Sequence, residues 1–179
     1  IALTAWFPTY WSKFQEFEPV KAGLFTAIFS LLASAIRVPG GTVADRAGGE
    51  KVSLISMILV LVGAILLAIA GSTVLGISAA VVLAIGMGVN NAAVFKLVPK
   101  YVPQSVGGAA GWVGGLGAFG GFVIPPLMGI IADVYGRVGY ARGFAVFAVL
   151  AIVNLIIIRY LIRKNKKLSA SQPANLQNN

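Results

Sequence analysis

The sequence predicts an all-α fold, a polytopic bundle of transmembrane helices, and three observations carry that expectation. The 179 residues are 58% hydrophobic and only 11% charged, with a mean hydropathy of +0.90, which sets the chain apart from soluble globular domains. Its apolar residues fall into stretches that each approach the ~20 residues a helix needs to cross a hydrocarbon core. The third observation is a glycine-rich run, Ser105–Pro126 (SVGGAAGWVGGLGAFGGFVIPP), that carries no charge at all. In water each of those glycines would weaken a helix by roughly 1 kcal/mol relative to alanine. In a bilayer the backbone must satisfy itself, so such a helix persists there and packs at close range.

Taken in order, Ile1–Pro8 reads as the tail of a span whose beginning is missing, because the chain opens inside an apolar run with no Met. It is therefore read as part of a longer polypeptide. Trp6, Phe7, Tyr10 and Trp11 are then expected where an aromatic belt meets the headgroups. A polar connection, Ser12–Pro19, leads to the first complete span, near 20–41. Further spans follow near 52–70, 75–95, 106–131 and 143–162, so that residues 1–167 form one membrane unit. The remainder, 168–179, is rich in Ser, Gln and Asn and reads as a disordered tail.

Charge excludes some functions and orients the bundle. A net charge of +9 would suit nucleic acid, but the cations form no patch among aromatic residues, so no nucleic-acid partner is expected. Arg46 and Lys51, then Lys96 and Lys100, then the cluster from Arg159 to Lys167 fall on one side of the membrane. Lys13, Lys21, Arg137 and Arg142 fall on the other. The basic majority, and the C-terminus with it, belongs on the cytoplasmic face of a cell membrane. Cysteine and histidine are absent, which removes disulfides, thiol nucleophiles and histidine bases or ligands. Five scattered acids offer no metal cluster, so neither metal nor cofactor is expected and no catalytic residue is assigned.

The spacing within the glycine-rich span distinguishes two faces. Gly107, Gly111, Gly114, Ala118, Gly121 and Pro125 step by fours and threes into one smooth stripe. Trp112, Leu116, Phe119 and Val123 step the same way on a bulky neighbouring face. The smooth side admits another backbone or a small ligand, and the bulky side fills space. An internal repeat also runs through the chain: Gly41-Thr-Val-Ala44-Asp45-Arg-Ala-Gly48 returns as Gly129-Ile-Ile-Ala132-Asp133-Val-Tyr-Gly136. An odd number of crossings separates the copies, which is the pattern of an inverted repeat of three spans.

Arg37 is the foremost candidate site residue. If its helix continues to Asp45, it lies roughly 12 Å along the axis from that end, well inside the membrane boundary. An arginine there costs about 2.5–3.5 kcal/mol on insertion scales, so it should face a cavity or an anion. The alternative is a side chain snorkelling from a helix that Pro39-Gly40-Gly41 breaks early. Asn90 and Asn91 are uncharged donors within the third span, equally suited to gluing helices or to touching an anion. Phe95 either walls a cavity or packs, and Asn154 reads as structural. No Asp, Glu or His lies deep in any span, so no proton-relay carboxylate is evident.

Two sets of motifs carry a family resemblance. The segment Gly40-Gly41-Thr-Val-Ala-Asp45-Arg46-Ala-Gly48-Gly49-Glu50-Lys51 resembles the loop motif G-x-x-x-D-R-x-G-x-[RK]-[RK] of the major facilitator superfamily, with Glu50 departing from the usual basic residue. Within that superfamily the chain is similar to the nitrate/nitrite porters. Ala5–Tyr10 (AWFPTY), Asn91–Pro99 (NAAVFKLVP) and Gly111–Gly121 (GWVGGLGAFGG) carry this similarity, the last being like that family's glycine-rich nitrate signature. Some members place Asn where this chain has Ala118.

The resemblance implies the C-terminal, six-helix half of a twelve-span secondary transporter, with its first helix truncated and an N-terminal half as partner. It implies nitrate or nitrite as substrate, moved by alternating access within a lipid membrane. Arg37 would hold the anion, and Asn90, Asn91, Phe95, Gly111, Gly114, Gly115, Gly117 and Ala118 would line its site. Gly41, Asp45, Arg46 and Gly48 would form a gate, in which Gly41 lets two helix ends approach and Gly48 supplies the turn. The family includes exchangers and proton-coupled carriers, and the missing carboxylates lean toward exchange. A carrier of another small organic anion and a non-transporting membrane subunit are the competing readings.

Overall fold

The computed structural model describes the backbone of residues 1–171 and the side chains of residues 1–164, and every regular element among them is helical, as expected. A short helix, α1 (Ala2–Thr9), passes directly into a π-helical turn at Tyr10–Phe14. Next come α2 (Pro19–Ala35) and α3 (Arg37–Ala47), which together make one apolar stretch of 29 residues, Pro19–Ala47. The remaining helices are α4 (Gly49–Ala68), α5 (Thr73–Tyr101), α6 (Val106–Tyr135), the single turn α7 (Gly139–Arg142) and α8 (Ala145–Ser171). Among the described residues, 5 helical stretches are long and apolar enough to cross a membrane. Helix α8 takes in residues 168–171, the start of the stretch read as a disordered tail; 172–179 lie outside the described residues.

The joint between α2 and α3 has a local cause. Pro39 has no N–H to close onto the carbonyl of Ala35, and its ring crowds that carbonyl. The ladder is interrupted only there, since Ile36 keeps right-handed angles (φ −64°, ψ −18°). Its N–H still donates to Leu32 O at 3.0 Å, and Gly40 N–H donates to Ile36 O at 2.9 Å. So the helix continues past Pro39-Gly40-Gly41 to Ala47, and Arg37 lies well back from its end.

Helix α5 is the hub, and glycines make it one. Ser72 caps its start by accepting from Leu75 N–H at 3.3 Å. A Cβ on Gly86 would sit 2.8 Å from Val60 N and 2.9 Å from Ser56 O of α4, while one on Gly88 would sit 2.5 Å from Ala33 O of α2. Two residues apart on a helix point roughly 200° apart, so this pair of glycines seats α5 between two neighbours. On α4, Gly63 answers with the same device, its virtual Cβ being 2.8 Å from Leu83 N. With lipid no less apolar than the helices, such backbone proximity supplies the packing that holds them together.

The aromatic residues near the N-terminus are core, not an interfacial belt. Phe7 and Tyr10 are fully buried and Trp11 nearly so. Phe7 stacks on Trp11 at 5.7 Å and Trp11 on Phe17 at 5.6 Å, while Trp6 Nε1 donates to Tyr140 O at 3.1 Å. The belt reading assumed that the helix ended near Pro8. Instead the π-helical turn carries Tyr10 and Trp11 onward beneath α2 and Phe144.

The two copies of the internal repeat close in the same way. Among the described residues the glycines at positive φ are Gly48 (+89°) and Gly136 (+60°), the matching last residues of the copies. Each ends a helix, α3 and α6 respectively, in a conformation that a side chain would strain. Asp45 meets Lys96 near the first turn, whereas Arg137 beside the second bonds Phe14 O and Glu16. The two turns thus sit among different partners, at the two ends of the bundle.

Candidate functional site

The site is a cleft of about 380 Å³ bounded by α1, α2, α3, α5 and α6. Arg37, at the first position of α3, lines it and is exposed. Among the described residues no carboxylate pairs with this guanidinium. Phe95 and Asn91 of α5 line the same cleft, and Gly114, Gly117 and Ala118 of α6 form the facing wall. Nothing lies within 4 Å of where a Cβ would stand on Gly114 or Gly117. These glycines keep space open rather than admit a neighbouring helix of this chain. The smooth stripe closes only at Gly121, which meets Ile1 of the N-terminal segment.

The cleft does not collect every residue expected in it. Gly111 and Gly115 lie on α6 outside its lining: Gly115 is turned by about 100° from Gly114, and Gly111, on the same face as Gly114, lies one turn before the part of α6 that the cleft reaches. Asn90 and Asn91 part company. Asn90 accepts from Ser53 Oγ at 2.7 Å and from Ser56 Oγ at 3.3 Å, both serines being buried on α4. It also lines a separate cavity of about 230 Å³ against α4 and α8. Asn91 borders both spaces and makes no hydrogen bond among the described residues. The helical period explains the split. Asn90 lies one turn beyond Gly86, on the face against α4, and Asn91 one turn beyond Gly88, on the face toward α2. Asn154 donates back to Leu150 O at 2.9 Å, in keeping with a structural role.

The bulky face of α6 was expected to fill space, and within the described residues it fills none. Trp112 is 72% exposed, and Leu116 and Phe119 are each 61% exposed. In a membrane such a face meets lipid or another protein segment.

The loop motif is built as a clasp. Both oxygens of Asp45 meet Lys96 Nζ, at 2.8 and 2.9 Å. One turn on, Lys100 Nζ pairs with Glu50, which also accepts from Tyr101 Oη at 3.2 Å. The departure at Glu50 is thus matched by a cation on α5. Arg46 makes no ion pair among the described residues. Gly48 supplies the turn, but the close approach expected of Gly41 belongs to its neighbour. A Cβ on Gly40 would stand 3.0 Å from Val89 Cα, while nothing lies within 4 Å of one on Gly41. The Asp45–Lys96 pair is exposed on both sides, and such a pair contributes at most about 1 kcal/mol to stability, so it suits a contact that forms and breaks.

Sequence reasoning missed Ser34. It lines the cleft one helical turn before Arg37, yet a serine in an apolar helix usually turns back on its own backbone, so nothing in the sequence singles it out.

Comparison with known proteins places this architecture. A sequence model described as Major Facilitator Superfamily matches residues 2–178. The chain is 32% identical over 146 residues to a probable nitrate/nitrite antiporter, NarK1, of Thermus thermophilus, covering 71% of this chain and 33% of that protein. It is 30% identical over 157 residues to a probable nitrate transporter, NarT, of Staphylococcus aureus strain JH9, covering 88% of this chain and 40% of that one. The chain therefore spans between a third and two fifths of the length of these relatives. No solved structure matches it. The resemblance read from the motifs around Asp45 and in the glycine-rich helix is borne out, and the relatives are transporters rather than enzymes. On the match along nearly its whole length, the chain belongs to the Major Facilitator Superfamily.

Proposed function

We propose that this chain forms one half of a carrier that moves nitrate or nitrite across a cell membrane by alternating access. The observation that carries the reading is Arg37, a guanidinium on the wall of the cleft that no carboxylate among the described residues neutralises. Such a group favours an anion, and its planar fork matches a planar oxyanion in two places. Asn91 adds a neutral donor and Phe95 an apolar wall. A second segment, the N-terminal half of the same transporter, closes the site over the exposed face of α6. The names of the relatives supply the substrate class.

Alternating access then follows from the two kinds of contact described above. The smooth wall at Gly114, Gly117 and Ala118 lets the opposing half approach the anion. The pairs Asp45–Lys96 and Glu50–Lys100 tie α3 and α4 to the end of α5, and with Gly48 and Arg46 they form the gate on the cytoplasmic side. That side carries the basic majority and the C-terminus. The described cleft wall includes no Asp or Glu, which favours exchange over proton coupling in this half.

Anion uptake into proteoliposomes bearing the full-length transporter tests the reading. Nitrate and nitrite should accumulate and formate should not. Equal formate uptake would favour a general carrier of small organic anions, and no uptake would favour a structural subunit. In the same assay Gly114→Leu should insert normally, because leucine favours the bilayer, yet lose transport because its side chain occupies the cleft. Near-normal uptake by that variant would mean that Gly114 does not face the path of the anion.

A further inference from the structure

Along α2, hydroxyls recur at every fourth residue, at Thr26, Ser30 and Ser34. The first two turn back on their own helix: Thr26 Oγ1 donates to Ala22 O at 2.8 Å and Ser30 Oγ to Thr26 O at 2.9 Å. That is the common behaviour of a hydroxyl in an apolar helix, where no water competes for it. Ser34 departs from the series. It is exposed on the cleft wall, and its hydroxyl has no hydrogen bond among the described residues. The other hydroxyls along the cleft are engaged, Ser30 as above and Thr4 with Ile1 O at 2.6 Å. Ser34 is thus the described cleft hydroxyl left free to donate outward.

We propose that Ser34 binds the third oxygen of nitrate and thereby sets a preference for nitrate over nitrite, an inference that rests on reading Arg37 as the anion's ligand. Residues three apart on a helix stand about 5–6 Å apart at Cβ, and Ile36 between these two keeps helical angles. Hydroxyl and guanidinium therefore reach the same volume. The guanidinium fork engages two oxygens of a planar oxyanion. Nitrate offers a third oxygen; nitrite and formate do not. A donor built into the site is satisfied by the first anion and left unpaired by the other two, and a site discriminates most strongly against an analogue that leaves its polar groups unpaired.

The test is equilibrium binding of nitrate, nitrite and formate to the purified full-length transporter, wild type against Ser34→Ala and Ser34→Thr. Since Ser34 makes no hydrogen bond within the described residues, Ser34→Ala should melt with the wild type. It should weaken nitrate by roughly three- to tenfold, the range of one neutral hydrogen bond, and leave nitrite and formate within about twofold. Ser34→Thr keeps the hydroxyl and should keep the preference. Equal weakening of all three anions, or of none, would overturn the assignment of Ser34 while leaving Arg37 in place. Absence of nitrate and nitrite binding in the wild type would overturn the reading of Arg37, and that of Ser34 with it.

Discussion

Gly63→Leu should leave little folded protein, with the yield of monodisperse material from detergent falling by at least about tenfold. The reason is where the new atoms would go. Even a Cβ on Gly63 would stand 2.8 Å from Leu83 N and 2.9 Å from Leu83 Cα. Those are backbone atoms in the middle of α5, which cannot swing aside as the end of a flexible side chain does. Overpacking by a methylene or two costs typically 1–3 kcal/mol, and a whole leucine against backbone exceeds that. A net stability of only about 5–15 kcal/mol leaves little margin. The α4–α5 pair would have to separate, and with it would go the bonds from Ser53 and Ser56 to Asn90. A Cβ at Gly114 meets nothing within 4 Å and points into the open cleft, so the two variants form a matched pair: one should fail to fold, the other should fold and fail to transport. A Gly63→Leu protein with wild-type yield and melting temperature would show that the close approach of α4 and α5 is dispensable.

How much of this was legible in the sequence depends on whether a local rule or a three-dimensional neighbour decides each position. The fold class was legible because hydropathy and length are local quantities and a bilayer leaves the backbone few options. Gly48 and Gly136 were legible as a repeated pair, and both occupy conformations that call for glycine. Arg37 was legible as a cation set well back from a helix end, provided the helix continued. Whether it did turned on Pro39, and the answer lay in the angles of Ile36 rather than in residue types. The two asparagines could not be ranked without knowing that Gly86 faces α4 and Gly88 faces α2. With those contacts in hand, the helical period separates Asn90 from Asn91 at once. The aromatic residues at 6–11 misled for a similar reason. Trp and Tyr serve interfaces and cores alike, and only the π-helical continuation decides between them. Gly40 was read as Gly41 because neighbouring glycines on a helix differ by about 100° in direction, which no pattern within the pair reveals.

Arg37→Lys should fold and express as the wild type does, yet bind nitrate at least about tenfold more weakly. The substitution separates charge from geometry. An arginine that merely reaches for the headgroups tolerates lysine well, because lysine snorkels too and keeps the positive charge. An arginine that grips an oxyanion does not. Its rigid fork offers parallel N–H donors to two oxygens at once, and guanidinium is more weakly hydrated than ammonium, so it enters a narrow cleft at lower cost. Lysine retains the charge but loses one prong and keeps a tightly held hydration shell. A hydrogen bond to a charged group contributes about 1.5–3 kcal/mol, which corresponds to roughly ten- to more than a hundredfold in affinity. Folding should be spared, since the side chain pairs with no carboxylate among the described residues and stands exposed on the cleft wall. Nitrate titrated into purified full-length protein, wild type beside mutant, reads the difference directly. Equal affinities would take Arg37 out of the anion site, leaving the cleft at Gly114 and Asn91 without the guanidinium proposed to hold the anion.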